Sequence, residues 1–188
     1  MKSLTTLVLA LALSIPALAA IKVRVDADKT FDFTAAKTFA WSEGVGDIMM
    51  ARTPKDDPEA MRKLAEPVIM NTVAAQLPLR GLQMATANPD LTLRYYMLLT
   101  IGDQSQTMGQ FVPTVLDWGL PLFAPATTSY KVIRTGALVL DLRAKDKVVW
   151  RAVGEAEIKM DADMKKREKI LTDAVKEMVA GYPPKIKK

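Results

Sequence analysis

An α+β domain, a mostly antiparallel sheet of five to six strands packed with two helices, is what three features of this sequence predict. Residues 130–160 read as two long strands joined by a tight polar turn, and residues 91–101 alternate as cleanly. Two further stretches, 57–77 and 163–182, repeat apolar residues at helical spacing. In the second arm of the hairpin Val148, Trp150, Ala152, Gly154, Ala156, Ile158 and Met160 share one parity. Val149, Arg151, Val153, Glu155, Glu157 and Lys159 share the other, which is the period of a strand. In the first arm Val132, Leu138, Leu140 and Leu142 lie on one parity, but Ile133, Ala137 and Val139 are apolar on the other. That pattern predicts a central strand covered on both faces. Ala144 to Lys147 supplies the turn, without an Asn-Gly or Asp-Gly pair to set its type. Two strands bury too little apolar surface to stand alone, so the rest of the chain must cover them.

The chain begins with Met1-Lys2, an apolar run from Leu4 to Ile15, then Pro16 and Ala17-Leu18-Ala19. These are the charged, apolar and small-residue regions of a secretory leader, with cleavage expected between Ala19 and Ala20. The competing reading is an uncleaved anchor, but the run is shorter than the roughly 20 apolar residues that span a bilayer. Residues 20–188 are then expected to form one exported α+β domain, since there is no internal repeat and no change of composition.

Ile21, Val23 and Val25 alternate with Lys22, Arg24 and Asp26 as a first strand. Lys37 to Ser42 alternates again, with Phe39 and Trp41 on one side. Gly44 to Asp57 reads as a linker ending in a helix start: Asp57 as N-cap, Pro58 at the first position, Glu59 in the first turn. Met61, Leu64, Ala65, Val68, Thr72, Val73 and Leu77 give the apolar stripe, while Pro67 either kinks this helix or starts the main one. Leu82 to Ala85 is a candidate short strand, followed by a turn at Asn88-Pro89-Asp90. Residues 102–129 show no period and hold Gly, Pro, Phe111, Trp118 and Phe123, as expected of a long apolar loop. Asp161 or Asp163 is positioned to cap a last helix whose stripe is Met164, Arg167, Ile170, Leu171, Ala174, Val175, Met178 and Tyr182. Gly181 and Pro183-Pro184 stop it, and 185–188 is a basic tail.

Composition excludes much chemistry. The 188 residues contain no His and no Cys. Thiolate nucleophiles, imidazole bases, the usual zinc sites and any Ser-His-Asp arrangement are therefore absent. No disulfide forms, and no lipid attaches to an N-terminal Cys. The formal charge of +5, one less after loss of Lys2, is too mild to suggest nucleic acid as a partner.

The order of several segments resembles a family of bacterial envelope proteins catalogued as domain of unknown function 4136 and often described as lipoproteins. The matching stretches are FDFTAAKTFAW at 31–41, NPDLTLRYYM at 88–97, the Gly, Pro and aromatic-rich stretch before Tyr130, TGALVLDL at 135–142, VVWRA at 148–152 and ILTDAVKEMVAGYPP at 170–184. The chain departs from many members in having no lipobox Cys. The resemblance implies an envelope location and an antiparallel sheet packed with two helices; it brings no established activity or catalytic residue.

Among the remaining reactive groups, Glu155 and Glu157 share a strand face about 7 Å apart, within reach of an acid/base pair. The plainer reading is a solvated polar face on which they pair with Arg94 or Arg151. Asp26-x-Asp28 and Asp161-x-Asp163 lack the Gly and Glu that complete a calcium loop. Gly44-Val-Gly46 has no phosphate-binding Lys after it and reads as part of the linker. Lys165, Lys166, Arg167 and Lys169 could touch anionic lipid, though such a run is most often a solvated helix face. The loop at 102–129 either closes the core or presents Phe111, Trp118 and Phe123 to a partner. The expectation is therefore a periplasmic or envelope-associated, non-enzymatic module without cofactor or metal. Its partner would be an envelope protein, a lipid or another apolar ligand. A carboxylate-dependent hydrolase and a self-assembling structural protein are the readings from other classes.

Overall fold

The computed structural model describes residues 21–50, 57–99, 106–107, 131–132, 136–156 and 163–185. Its strands are β1 (Lys22–Ala27), β2 (Thr38–Met50), β3 (Gln83–Met84), β4 (Leu91–Leu99), β5 (Gln106–Thr107), β6 (Lys131–Val132), β7 (Gly136–Ala144) and β8 (Lys147–Ala156). Helices α1 (Pro58–Gln76) and α2 (Met164–Ala180) complete it. Six strands form one sheet in the order β1-β8-β7-β4-β2-β3, and β5 pairs separately with β6. The sheet is mixed: β1-β8, β8-β7 and β7-β4 are antiparallel, whereas β4-β2 and β2-β3 are parallel.

The hairpin 136–156 is central, as the apolar residues on both parities of its first arm predict. Ala137 to Leu142 are buried without a break. Leu138, Leu140 and Leu142 join Leu93, Tyr95, Met97, Trp150 and Ala152 in the main core. On the other face Tyr96, Leu98, Ala137, Val139 and Val153 are buried as well. A bulge at Val149, where register passes from Leu142↔Trp150 to Arg143↔Val148, lets that residue also join the main core. Lys145, at φ 55°, occupies the two-residue turn with Asp146.

Two expectations need correction. Residues 131–132 are not the start of the hairpin's first arm; they pair with Gln106 and Thr107, so part of the expected loop 102–129 is also strand. The stretch from Gly44 is not a linker up to Asp57, because β2 continues to Met50. It does so through an irregularity between Trp41 and Gly46, where Gly44 takes φ 65°. That positive φ suits glycine. Beyond it, Gly46 lies so close to the Tyr95 ring that a Cβ would collide with it.

Helix α1 runs unbroken through Pro67, which excludes a main helix starting there. Asp57 accepts the Glu59 amide at 2.9 Å, as a capping residue should. Pro67 is on the exposed side, and burial of Ala65, Ile69, Val73 and Leu77 outweighs a local cost of about 3 kcal/mol. Asp163 caps α2 by accepting the Lys166 amide at 2.7 Å. Of the expected stripe of α2, Ile170, Ala174, Val175, Met178 and Tyr182 are buried, but Met164 is about half exposed. The two helices pack side by side over one face of the sheet. Among the described residues no helix is long and apolar enough to cross a membrane.

Candidate functional site

The face of the sheet away from the helices carries a row of charges of alternating sign. Register aligns Asp26 with Arg151, Arg151 with Asp141, and Asp141 with Arg94. Arg151 donates Nε to Asp141 Oδ1 at 2.6 Å and Nη2 to Oδ2 at 2.5 Å. Arg94 donates Nη2 to Asp47 Oδ2 at 2.7 Å, and at the other edge Arg24 pairs with Asp26 at 2.7 Å. The Arg94 guanidinium also lies 5.4 Å from the Tyr96 ring centroid. Burial raises the Asp141 carboxyl above its ordinary value, against the opposing pull of Arg151, Arg143 and Arg94. Both carboxylate oxygens are engaged by Arg151.

Of the expected polar face, Arg94 is part-exposed and Arg151 is not solvated at all, its side chain being 2% exposed. Glu155 is half-buried, opposite Lys22 and Ala137 in register. Arg94 pairs with Asp47 and Arg151 with Asp141. Glu157, Phe111, Trp118, Phe123, Ala19 and Ala20 lie outside the described residues. Asp141 and Asp47 were not singled out from sequence. The available signal was Asp141 itself, an acid inside an apolar strand on the parity of Arg94's neighbour.

Two further acids, Asp28 and Asp90, are engaged structurally. Asp28 Oδ1 accepts the Thr30 amide at 2.8 Å and its hydroxyl at 2.7 Å, and Lys147 lies 3.1 Å from Oδ2. Asp90 Oδ2 accepts the amides of Lys37 and Thr38, both at 2.9 Å, and the Thr38 hydroxyl at 2.8 Å. Among the described residues no cluster of three metal-ligating side chains occurs. Tyr95 donates its hydroxyl to Glu66 Oε2 at 2.7 Å, and burial followed by this bond raises its pKa.

A second feature is the grouping of chain ends at one pole. Lys22 aligns with Glu155, Ala156 with Gly136, Gly136 with Leu99, and Leu99 with Met50. All these residues therefore share one end of the sheet. The segment 100–135 leaves and re-enters there, and within it β5 and β6 bring residues 107 and 131 into register. Both helices begin toward this end and run toward the other. A Cβ on Gly154 would touch Met178 and Ala174, so α2 crosses β8 there. From Ala174 back to Met164 the helix extends about 15 Å. Strand β8 has only two residues left, about 7 Å, so the first turns of α2 overhang the sheet. The opposite pole is closed by the Asp90 and Asp28 bonds and by T-shaped contacts of Tyr182 with Phe33 and Trp150, each with centroids 6.0 Å apart.

The family model described as "Domain of unknown function (DUF4136)" matches residues 23–184. No curated protein matches the chain. Among solved structures it is similar to a DUF4136 family protein from Bacteroides thetaiotaomicron, with 16% identity and a TM-score of 0.50, covering 87% of this chain and 96% of that one. A PelC dodecamer from Paraburkholderia phytofirmans matches at 13% identity and TM-score 0.40, covering 86% and 95%. A PDZ domain protein from Parabacteroides distasonis matches at 15% and 0.46, covering 88% of this chain and 36% of that one. The likeness to the first of these is one of fold.

Proposed function

Because the chain belongs to the DUF4136 family, a domain of unknown function matched over residues 23–184, we propose a role read from its own surface: an exported, non-enzymatic binding module. The module engages an envelope protein or apolar ligand through the stretch between β5 and β6, with Phe111, Trp118 and Phe123 as anchors. The observation that supports this is the position of the stretch. Its ends are drawn together by the pairing of Gln106 with Val132 and Thr107 with Lys131, and in sequence it lies between β4 and β7, whose ends pair. The interval between these paired residues is rich in aromatic and aliphatic residues, and aromatic anchors give much contact area per residue ordered. Export rests on the leader-like first 19 residues and the lack of a catalytic role on the absence of His and Cys.

The test is photocrosslinking in expressing cells from a probe at position 118. A probe at Leu79, 76% exposed at the opposite pole, serves as control. A discrete protein or lipid adduct from position 118, lost when Phe111 and Phe123 are changed to Ala, is expected. Adducts no stronger than those from position 79 would overturn the reading, and a recovered protein that still carries residues 1–19 would remove its export component.

A further inference from the structure

We infer that the outer edge of β1 pairs with β1 of a second copy of this chain, antiparallel and centred on Val25, independently of what the stretch between β5 and β6 binds. Strand β1 ends the six-stranded sheet, with β8 on its inner side and no strand beyond it among the described residues. The Asp28 amide donates to the Val149 carbonyl at 2.9 Å, continuing the register of Asp26 with Arg151. In an antiparallel pair, residues that turn their backbone groups to the partner alternate with residues that turn them away. Lys22, Arg24 and Asp26 are in step with Asp28 and face β8. The N–H and C=O groups of Val23, Val25 and Ala27 are therefore directed outward, a row that can template a further strand.

What this edge accepts is set by its charges. Along it run Lys22, Arg24, Asp26 and Asp28, two cations and then two anions at alternate positions. Reversed end for end, the pattern is its own complement. With Val25 facing Val25 of the second copy, Arg24 stands opposite Asp26, Lys22 opposite Asp28, and Val23 opposite Ala27. Opposite charges directly across a strand pair stabilise it, and like charges oppose it. The smallest shift that keeps the outward groups paired is two residues, and it sets Arg24 against Arg24 or Asp26 against Asp26. Within one copy Arg24 and Asp26 already pair at 2.7 Å, so the two-fold axis gathers two guanidiniums and two carboxylates in alternation. The charge row of the face then runs on from Arg94 through Asp141, Arg151 and Asp26 to Arg24 of the second copy. On the other face Val23 and Val25 are half-buried beside the core and gain cover from the facing strand. Charges on an edge keep most strands away, and here their order admits this one.

The test exploits the absence of Cys from the chain. Facing residues that exchange backbone bonds have Cα atoms about 5.5 Å apart, within disulfide range. Val25→Cys is expected to form an intermolecular disulfide under mild oxidation, whereas Val23→Cys, which faces Ala27, stays reduced. Sedimentation of the protein as purified from expressing cells should show monomer and dimer in concentration-dependent exchange, because one six-residue strand pair is small beside a permanent interface. Arg24→Glu and Asp26→Lys each set like charges against one another at two symmetric positions, and each alone should dimerise at least about 10-fold more weakly. Mixed together, the two variants are complementary again and should form a heterodimer, which also shows that both are folded. A protein monomeric at every concentration, equal crosslinking from positions 25 and 23, or folded variants that dimerise as the parent does would each overturn the inference. If circular dichroism shows that a charge variant does not fold, the two cysteine variants decide.

Discussion

Arg151 grips Asp141 through two parallel hydrogen bonds, 2.6 and 2.5 Å long, in the centre of a sheet face where the two side chains are 2% and 1% exposed. A charge left alone at such a site has no water to solvate it. Arg151→Met or Asp141→Leu alone should each cost about 3–5 kcal/mol. The double replacement should cost much less than the sum of the singles, because no uncompensated charge remains. Urea unfolding of the three variants measures the cycle; additive losses would show that the pair is not coupled.

Gly46 and Tyr95 are packed too closely for any side chain at position 46. Gly46→Ala should destabilise by about 1–3 kcal/mol through overpacking. Gly44→Ala, with open space around it but φ 65°, should cost about 1 kcal/mol through backbone strain alone. Thermal melts separate the two origins if repeated in a Tyr95→Ala background. There the Gly46 penalty should largely vanish and the Gly44 penalty should persist.

Tyr95→Phe removes the hydroxyl that Glu66 Oε2 accepts at 2.7 Å. Glu66 is only half-buried, so solvent replaces part of the lost bond and about 1 kcal/mol is expected. Glu66→Gln, which keeps an acceptor, should cost less than Tyr95→Phe in the same denaturation assay.

The carboxyls of Asp28 and Asp90 titrate below the ordinary 3.8. At Asp28 burial pushes upward, but the Thr30 hydroxyl and amide and Lys147 more than offset it. At Asp90 the Lys37 amide, then the Thr38 hydroxyl and amide, hold the charge. A carboxyl depressed in the folded state contributes stability that is fully present above its unfolded pKa and lost as pH falls through its folded one. The urea midpoint should therefore drop between pH 5 and the region below 3.8. Asp90→Asn should lower the midpoint at pH 6 and show a smaller further drop on acidification.

Asp163→Ala removes the side chain that accepts the Lys166 amide and should cost about 1 kcal/mol. Asp163→Asn or Ser should recover most of it. An equal loss for all three would assign Asp163 a role other than capping.

The regular elements were legible because each carries a clean period. Residues 91–99, 136–156 and both helices declare themselves through local alternation or helical stripes, and the caps at Asp57 and Asp163 through local chemistry. What local pattern does not encode is pairing between distant segments. The parallel neighbours β2 and β4 are separated by α1, and nothing in either strand specifies that direction. Strand β2 looked shorter than it is because Gly44 and Gly46 serve an irregularity and a close approach, yet read as a flexible joint. Residues 131–132 shared the parity of the hairpin, so only the partner strand at 106–107 tells them apart. Of the candidate polar face, Arg94 and Arg151 could be picked by charge, but their pairing with Asp47 and Asp141 depends on register. Asp141 faces Arg151 because the two-residue turn and the bulge at Val149 together place the arms of the hairpin in that alignment.

Strands β4 and β7 are direct antiparallel neighbours, with Leu99 opposite Gly136. The whole interval between them is thus an insert spliced into what would otherwise be a hairpin. Loop closure grows only slowly with length, about 0.6 kcal/mol per doubling, so the scaffold is nearly indifferent to how much chain is placed there. The region is in effect an interchangeable cassette. Descendants of this fold are free to lengthen, shorten or rewrite it without disturbing the register of the six-stranded sheet.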